Sequence, residues 1–372
     1  MKVLYLLNSN GVGGAEASIR RMVDRKFVQG KVALLWNHNN VQKNFWNGRE
    51  VTQITDANSP LVGALKSIFA IPKYLKGQNF DAVQSQLKGA DLIFAFLIFI
   101  GLIKKDFIYV VSLRNSYDFY YGNGFLNRLI GRVHKFFINK AADVIVGVSK
   151  QDIDRFTQAF GSKFKVIENS VDISNFKVKE KSLLTKNIKV VLVGNVKYRK
   201  GYDRLSSLIQ YLNKSYPDYR FTFSIAGGIE SEQFKAEVSS LAGGNSVIEF
   251  LGKVENINEL LVSSDIFLSL SREEGLPISV LEGMAAKLPI LLSNIPAHSL
   301  ILDPTVSEYI LFNNDKEMQE TFSNLIESQT LREEIIQAQY KKLLKDFSLD
   351  RMCSEYLQSY KTGCTDETTA SN

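Results

Sequence analysis

Short apolar runs alternate along the chain with amphipathic stretches, the pattern of α/β units with parallel strands. Val3-Leu4-Tyr5-Leu6-Leu7 predicts a buried strand, Asn8 to Gly14 a loop, and the residues from about Ala15 a helix. In that helix Ile19, Met22, Val23 and Phe27 fall on one face at the 3.6-residue period, with Arg20, Arg21 and Arg25 elsewhere. Val32 to Trp36, Ile108 to Val111 and Val144 to Val148 repeat the strand pattern. From Asp172 to Asn187 the chain turns polar and lysine-rich, which predicts an interdomain linker. Ile188 to Val193 then restarts the pattern as a strand, with a loop from Gly194 to Gly201 and a helix from Tyr202. The expectation is an α/β chain of two Rossmann-like domains facing one another. They cover residues 1–174 and 175–344, with a helix over 345–362 packing back towards the first domain and a disordered polar tail over 363–372.

Length agrees, since 372 residues exceed one ordinary core. The longest apolar run, Leu92 to Ile103, is twelve residues. As a helix it spans about 18 Å, short of the ~30 Å hydrocarbon core, so it predicts a core helix or a membrane-facing one, not a membrane-spanning one. The start, Met1 to Leu7, reads as a strand, not as a signal peptide. Cys353 and Cys364 are too few for a disulfide framework and suit a reducing cytoplasm. His38, His134 and His298 have no spaced partners, so no metal site is expected.

Charge changes the picture. The total is +6, but residues 1–172 hold 23 basic and 13 acidic side chains, against 22 and 26 in the remainder. A basic front half suggests an anionic partner. Nucleic acid would suit the pI of about 9.0, but no nucleic-acid-binding motif is present.

Three segments carry candidate chemistry. Ser271-Arg272-Glu273-Glu274-Gly275-Leu276-Pro277-Ile278 follows a strand-like run and leads into a helix containing Glu282. An anion at that helix start would meet free backbone N–H groups, and Glu274 and Glu282 could accept from hydroxyls on either side of it. A capped helix with solvated glutamates serves the same spacing. Gly194-Asn195-Val196-Lys197-Tyr198-Arg199-Lys200-Gly201 places a glycine after a strand and cations before a helix, suited to phosphate or to a solvated loop. Gly11-Val12-Gly13-Gly14-Ala15-Glu16 follows the first strand but is no complete G-x-G-x-x-G. An NAD-dependent oxidoreductase would need that fingerprint and an acidic residue about 20 positions on.

Together these segments resemble a family 4 glycosyltransferase of the GT-B fold. Glu274 and Glu282 match its E-x7-E motif, and Gly194 with Lys200-Gly201 matches its Gly-Arg-x-x-x-x-Lys-Gly loop. Ala141 to Ser149, Val166 to Asp172 and Gly13 to Glu16 resemble further family signatures. The resemblance implies retaining, metal-independent transfer from a nucleotide-sugar, a UDP-sugar, held in the interdomain cleft without a cofactor. It implies that Glu282 binds the ribose, that Glu274 binds the donor sugar, and that Lys200 neutralises the diphosphate. The backbone of Gly13, Gly14, Gly275, Leu276, Pro277 and Ile278, with Gly194, Asn195 and Arg199, completes the donor site.

Two positions depart from the family. Asn195 stands where an arginine is usual, so Arg199 or Lys197 must supply that charge, or the chain is a catalytically weak partner subunit. Arg114 stands where many members have a histidine near the donor sugar, and reads as a catalytic candidate or as a salt-bridged strand end. Phe125 to Lys140 is a basic amphipathic helix, with Leu126, Leu129, Ile130, Val133 and Phe137 in one stripe and Arg128, Arg132 and Lys135 elsewhere. It predicts either a core-packed helix with a solvated basic face or contact with an anionic membrane. The whole reading is a cytoplasmic enzyme on the inner face of the plasma membrane. Its acceptor would be a lipid-linked or other saccharide of a bacterial surface polysaccharide (lipopolysaccharide, O-antigen, capsule or exopolysaccharide).

Overall fold

The computed structural model describes residues 1–8, 14–36, 45–122, 124–176 and 184–362. Gly13, residues 177–183 of the lysine-rich linker and the polar tail lie outside these residues. The chain divides into two compact units, Met1–Asn169 rejoined by the segment from Leu349, and Ser170–Ser348. The division falls after Asn169, not after residue 174, and the returning segment begins at Leu349, not at 345.

The first unit is built on a seven-stranded parallel sheet. Its strands are β1 (Lys2–Leu7), β2 (Gln29–Leu34), β3 (Val51–Gln53), β4 (Ala82–Gln86), β5 (Ile108–Leu113), β6 (Val144–Gly147) and β7 (Phe164–Val166), in the order β3-β2-β1-β4-β5-β6-β7. Five of β1's six residues are buried, as a strand covered on both faces requires. One face packs on α1 (Gly14–Asp24), through Ile19 and Met22. The other carries α2 (Pro60–Leu75), α3 (Lys88–Phe99), α4 (Tyr117–Tyr121), α5 (Phe125–Ala141) and α6 (Ile153–Phe160). The long apolar run lies mostly in α3, where Ile93, Phe94, Ala95 and Leu97 are buried. Just beyond them Phe99, Ile100 and Leu102 are exposed. Among the described residues no helix is long and apolar enough to cross a membrane.

The second unit has a six-stranded parallel sheet of β8 (Asn187–Val193), β9 (Arg220–Ala226), β10 (Ser246–Gly252), β11 (Ile266–Ser269), β12 (Ile290–Ser293) and β13 (Leu311–Phe312), ordered β10-β9-β8-β11-β12-β13. Its helices are α7 (Leu205–Ser215), α8 (Glu232–Ser239), α9 (Ile257–Val262), α10 (Ile278–Ala285), α11 (Pro296–Ser299), α12 (Asp315–Glu327) and α13 (Gln329–Asp346). The segment from Tyr202 makes one 3-10 turn, Tyr202–Arg204, before α7 begins. Strand order reverses between β8 and β11, as it does between β1 and β4. In open α/β sheets the crevice beyond the strand ends at such a point is where ligands bind.

The returning helix α14 (Leu349–Thr362) completes the first unit. Met352, Cys353, Tyr356 and Tyr360 are buried against Val3, Tyr5, Val110 and Val146, on the α1 face of the sheet. Tyr356 shares a 3.0 Å hydrogen bond with Ser112, and Tyr360 donates to Gln84.

Candidate functional site

In the second unit the loops after β8 and β11, the two strands flanking the reversal, meet. Lys200 Nζ lies 2.5 Å from Glu274 Oε1, with the two side chains only 13% and 10% exposed. Ser271 Oγ donates to the same carboxylate oxygen at 2.7 Å. Burial pulls the Glu274 carboxyl upward, but Lys200, the hydrogen bonds of Lys200 and Ser271, and the charge of Arg199 outweigh it, holding the group below its usual range. The site therefore contains an ionised carboxylate locked to an ammonium at a strand-end crevice.

Backbone geometry makes this approach possible. A Cβ on Gly194 would stand 2.5 Å from Lys200 Cε, so only glycine leaves the channel the lysine occupies. Gly201 adopts φ +69°, and a Cβ there would lie 2.1 Å from the Leu270 carbonyl oxygen. Arg272 laces the two loops together. Its N–H donates to the Arg199 carbonyl at 2.9 Å, its guanidinium grips Asp203 at 2.6 and 2.8 Å, and it stacks over Tyr198 at 3.9 Å.

Asn195 Nδ2 donates to Glu230 at 2.7 Å, Lys197 Nζ reaches the same oxygen at 3.0 Å, and the Gly228 N–H donates to Asn195 Oδ1. Both side chains are thus turned to Glu230. Arg199 is exposed, and among the described residues its guanidinium has no hydrogen-bond or ion-pair partner, yet its charge acts on Glu274. Gly275, Leu276 and Pro277 form the turn into α10, where the Ile278 N–H bonds the Leu276 carbonyl at 2.9 Å. Half-buried Glu282 follows one turn into that helix. Gly283 beside it is needed because a Cβ would meet the Phe267 ring at 2.9 Å.

Sequence reasoning missed His298. It is fully buried, its Nδ1 stands 2.7 Å from the Ser293 carbonyl, and burial holds it below its usual value while Glu274 and Lys200 act on it in opposite directions. The imidazole is neutral, with Nδ1–H donating and Nε2 facing Ser269 Oγ at 3.4 Å. Its only sequence signal was a histidine just after an apolar run. Among the described residues no three His, Cys, Asp or Glu side chains converge as a metal-ligand group.

In the first unit Arg114 stands at the end of β5. It donates to Gln86 Oε1 at 3.0 Å, Ser18 Oγ at 3.1 Å and Asn169 Oδ1 at 2.5 Å, so amide and hydroxyl oxygens hold it in place of the carboxylate of a salt bridge. Its second terminal nitrogen is buried without a partner. Gly14 opens α1. On α5 the buried residues are Gly131, His134, Ile138 and Ala141, while Leu126, Leu129, Ile130 and Val133 are exposed. Phe137, the fifth residue of the stripe, is half-buried against the core beside Phe96, so the core-packed alternative holds there and fails for the other four.

The fold is GT-B, two parallel-sheet α/β units. Residues 174–342 match the family described as glycosyl transferases group 1. It is 25% identical to an uncharacterised glycosyltransferase of Haemophilus influenzae over 95% of this chain and 97% of that one. It is 28% identical to the O-antigen biosynthesis glycosyltransferase WbnH of Escherichia coli, over 62% of this chain and 63% of that protein. Anabaena HepE in complex with UDP superposes with a TM-score of 0.76 at 18% identity, covering 96% of this chain and 99% of that one.

Proposed function

We propose that the protein transfers a sugar from a UDP-sugar to a lipid-linked or other saccharide acceptor of a bacterial surface polysaccharide, with retention and without a metal. The observation that carries this reading is the Lys200–Glu274 pair, with Arg199 beside it, at the strand-order reversal of the second sheet. Lys200, fixed at a crevice, and the exposed charge of Arg199 beside it stabilise charge that develops on a departing diphosphate. Incoming diphosphate competes with Glu274 for Lys200, which frees the carboxylate to accept from donor-sugar hydroxyls. Glu282 on α10 accepts from the ribose, and the backbone N–H groups at the start of α10 face the phosphates. The acceptor attacks from the face the diphosphate leaves, and the departing phosphate oxygen takes its proton. Arg114, fixed by Gln86 and Asn169, is the first unit's candidate for the sugar. Arg199 fills the role left by Asn195, which counts against the weak-subunit reading.

Membrane docking is part of the proposal, at the inner face of the plasma membrane. It is supported by the basic front half and by the exposed side chains of Leu129, Ile130, Val133 and Phe136 on α5 and of Leu61, Leu65 and Phe69 on α2. The O-antigen role of WbnH supports the pathway.

The test is a panel of nucleotide-sugars, scored for binding by calorimetry and then for slow acceptor-free hydrolysis with and without EDTA. A UDP-sugar that binds and is hydrolysed equally in both conditions is expected. Binding of none, or turnover abolished by EDTA and restored by a divalent ion, would overturn the donor or the metal-free assignment respectively.

A further inference from the structure

Helix α5 carries three distinct faces. Gly131, His134, Ile138 and Ala141 point into the unit, and Leu126, Leu129, Ile130, Val133 and Phe136 are exposed. Arg128, Arg132 and Lys135 follow one another at i, i+4 and i+7 along a third face. With Gly131, and with Tyr117 and Tyr121 of α4, these cations line a cavity of about 230 Å³.

The cavity is built, not incidental. A Cβ on Gly131 would lie 2.8 Å from the Tyr120 carbonyl oxygen and 3.1 Å from the Tyr121 ring, so glycine sets how closely α4 approaches. The Tyr121 hydroxyl meets His134 Nδ1 at 3.1 Å, and buried Asp91 stands 3.6 Å behind His134 Nε2, fixing the aromatic wall from within. Among the described residues no acid lines the space. Asp118, adjacent to Tyr117, is committed to Arg155 at 2.6 Å, and Arg155 stacks on Tyr117 at 4.3 Å. Among the described residues the side chains of Arg128, Arg132 and Lys135 have no hydrogen bond or ion pair. Like charges one turn apart repel, so three converging on one cavity are a cost to the helix that a bound anion reverses.

We propose that this cavity binds the phosphate-ester head group of a membrane lipid, whose apolar stem lies along the exposed face of α5. Two guanidinium forks and an ammonium match phosphate oxygens in geometry and charge. The apolar residues sit on the same helix, so head and stem are read together. The inference rests on the membrane-docking reading and narrows it from diffuse attraction to one site.

The test uses the full chain and flotation on phosphatidylcholine vesicles doped with either phosphatidic acid or phosphatidylglycerol, matched in surface potential. The phosphate monoester exposes more oxygens, so phosphatidic acid vesicles should bind about tenfold more tightly. Inorganic pyrophosphate should displace the protein better than sodium chloride of equal ionic strength. Arg132→Gln and Lys135→Gln should each abolish the preference while leaving residual binding to phosphatidylglycerol. Equal affinity for both vesicles, or a preference that survives both substitutions, would overturn the site and leave docking intact. Pyrophosphate binding without any lipid preference would assign the cavity to a free anion and overturn the proposal. Binding to neither vesicle at low salt would overturn site and docking together, and nucleotide-sugar turnover would still test the transferase reading.

Discussion

Replacing Lys200 by alanine tests the donor site directly, and the structure sets the size of two effects. Glu274 would keep Ser271 and the distant charge of Arg199 but lose its ammonium while remaining 10% exposed. Removing one partner of a buried pair costs about 3–5 kcal/mol, and the slight exposure here points to the lower end. Spread over the Ser170–Ser348 unit, about 3 kcal/mol lowers its melting temperature by roughly 6–12 °C. The sign with pH follows from the depressed Glu274 carboxyl. Its stabilisation is present above the unfolded-state value of about 4.3 and is lost as pH falls through the lower folded value. The gap in melting temperature between wild type and variant should therefore be full at pH 7 and close towards pH 4. Turnover should drop about 10²–10³-fold, the typical loss for one preorganised charge-stabilising group. Thermal melts across pH and initial rates of UDP release measure both. A gap that does not change with pH, or turnover within about threefold of wild type, would refute the reasoning.

Glu282→Ala should weaken UDP binding about tenfold by calorimetry, the worth of a charge-assisted hydrogen bond to ribose, with the unfolding midpoint nearly unchanged. Gly201→Ala forces a Cβ to 2.1 Å from the Leu270 carbonyl at φ +69°. It should destabilise the second unit by about 1–3 kcal/mol in urea unfolding, with turnover lost through a displaced Lys200.

The donor loops were legible because their residues serve one chemistry at fixed spacing, and Lys200 and Glu274 do meet. What laces them together was not: Arg272 and Asp203 read as ordinary surface charges until a guanidinium is seen gripping a carboxylate across two loops. β4 escaped the hydrophobic pattern for a different reason. Its Gln84, Ser85 and Gln86 are fully buried but polar; Tyr360 and Arg114 donate to the two glutamine carbonyls and Ser85 donates to Asp91, while both glutamine amide nitrogens stay buried without a partner. α5 shows the limit of periodicity. Four of the five stripe residues are exposed, which spacing alone could not tell, and the helix buries Gly131, His134, Ile138 and Ala141 instead.

The return of α14 to the first unit reorders how the protein is made. Val3, Tyr5, Val110 and Val146 are synthesised early, but the helix that covers them starts only at Leu349. At ribosomal speeds of about 5–20 residues per second, the part of that face that α1 does not cover stays bare for on the order of 10–40 s after Asn169 emerges. The Ser170–Ser348 unit has all its strands in hand before then. The half of the chain born first is thus the half finished last, and in the interval it presents a sheet face that a chaperone would hold.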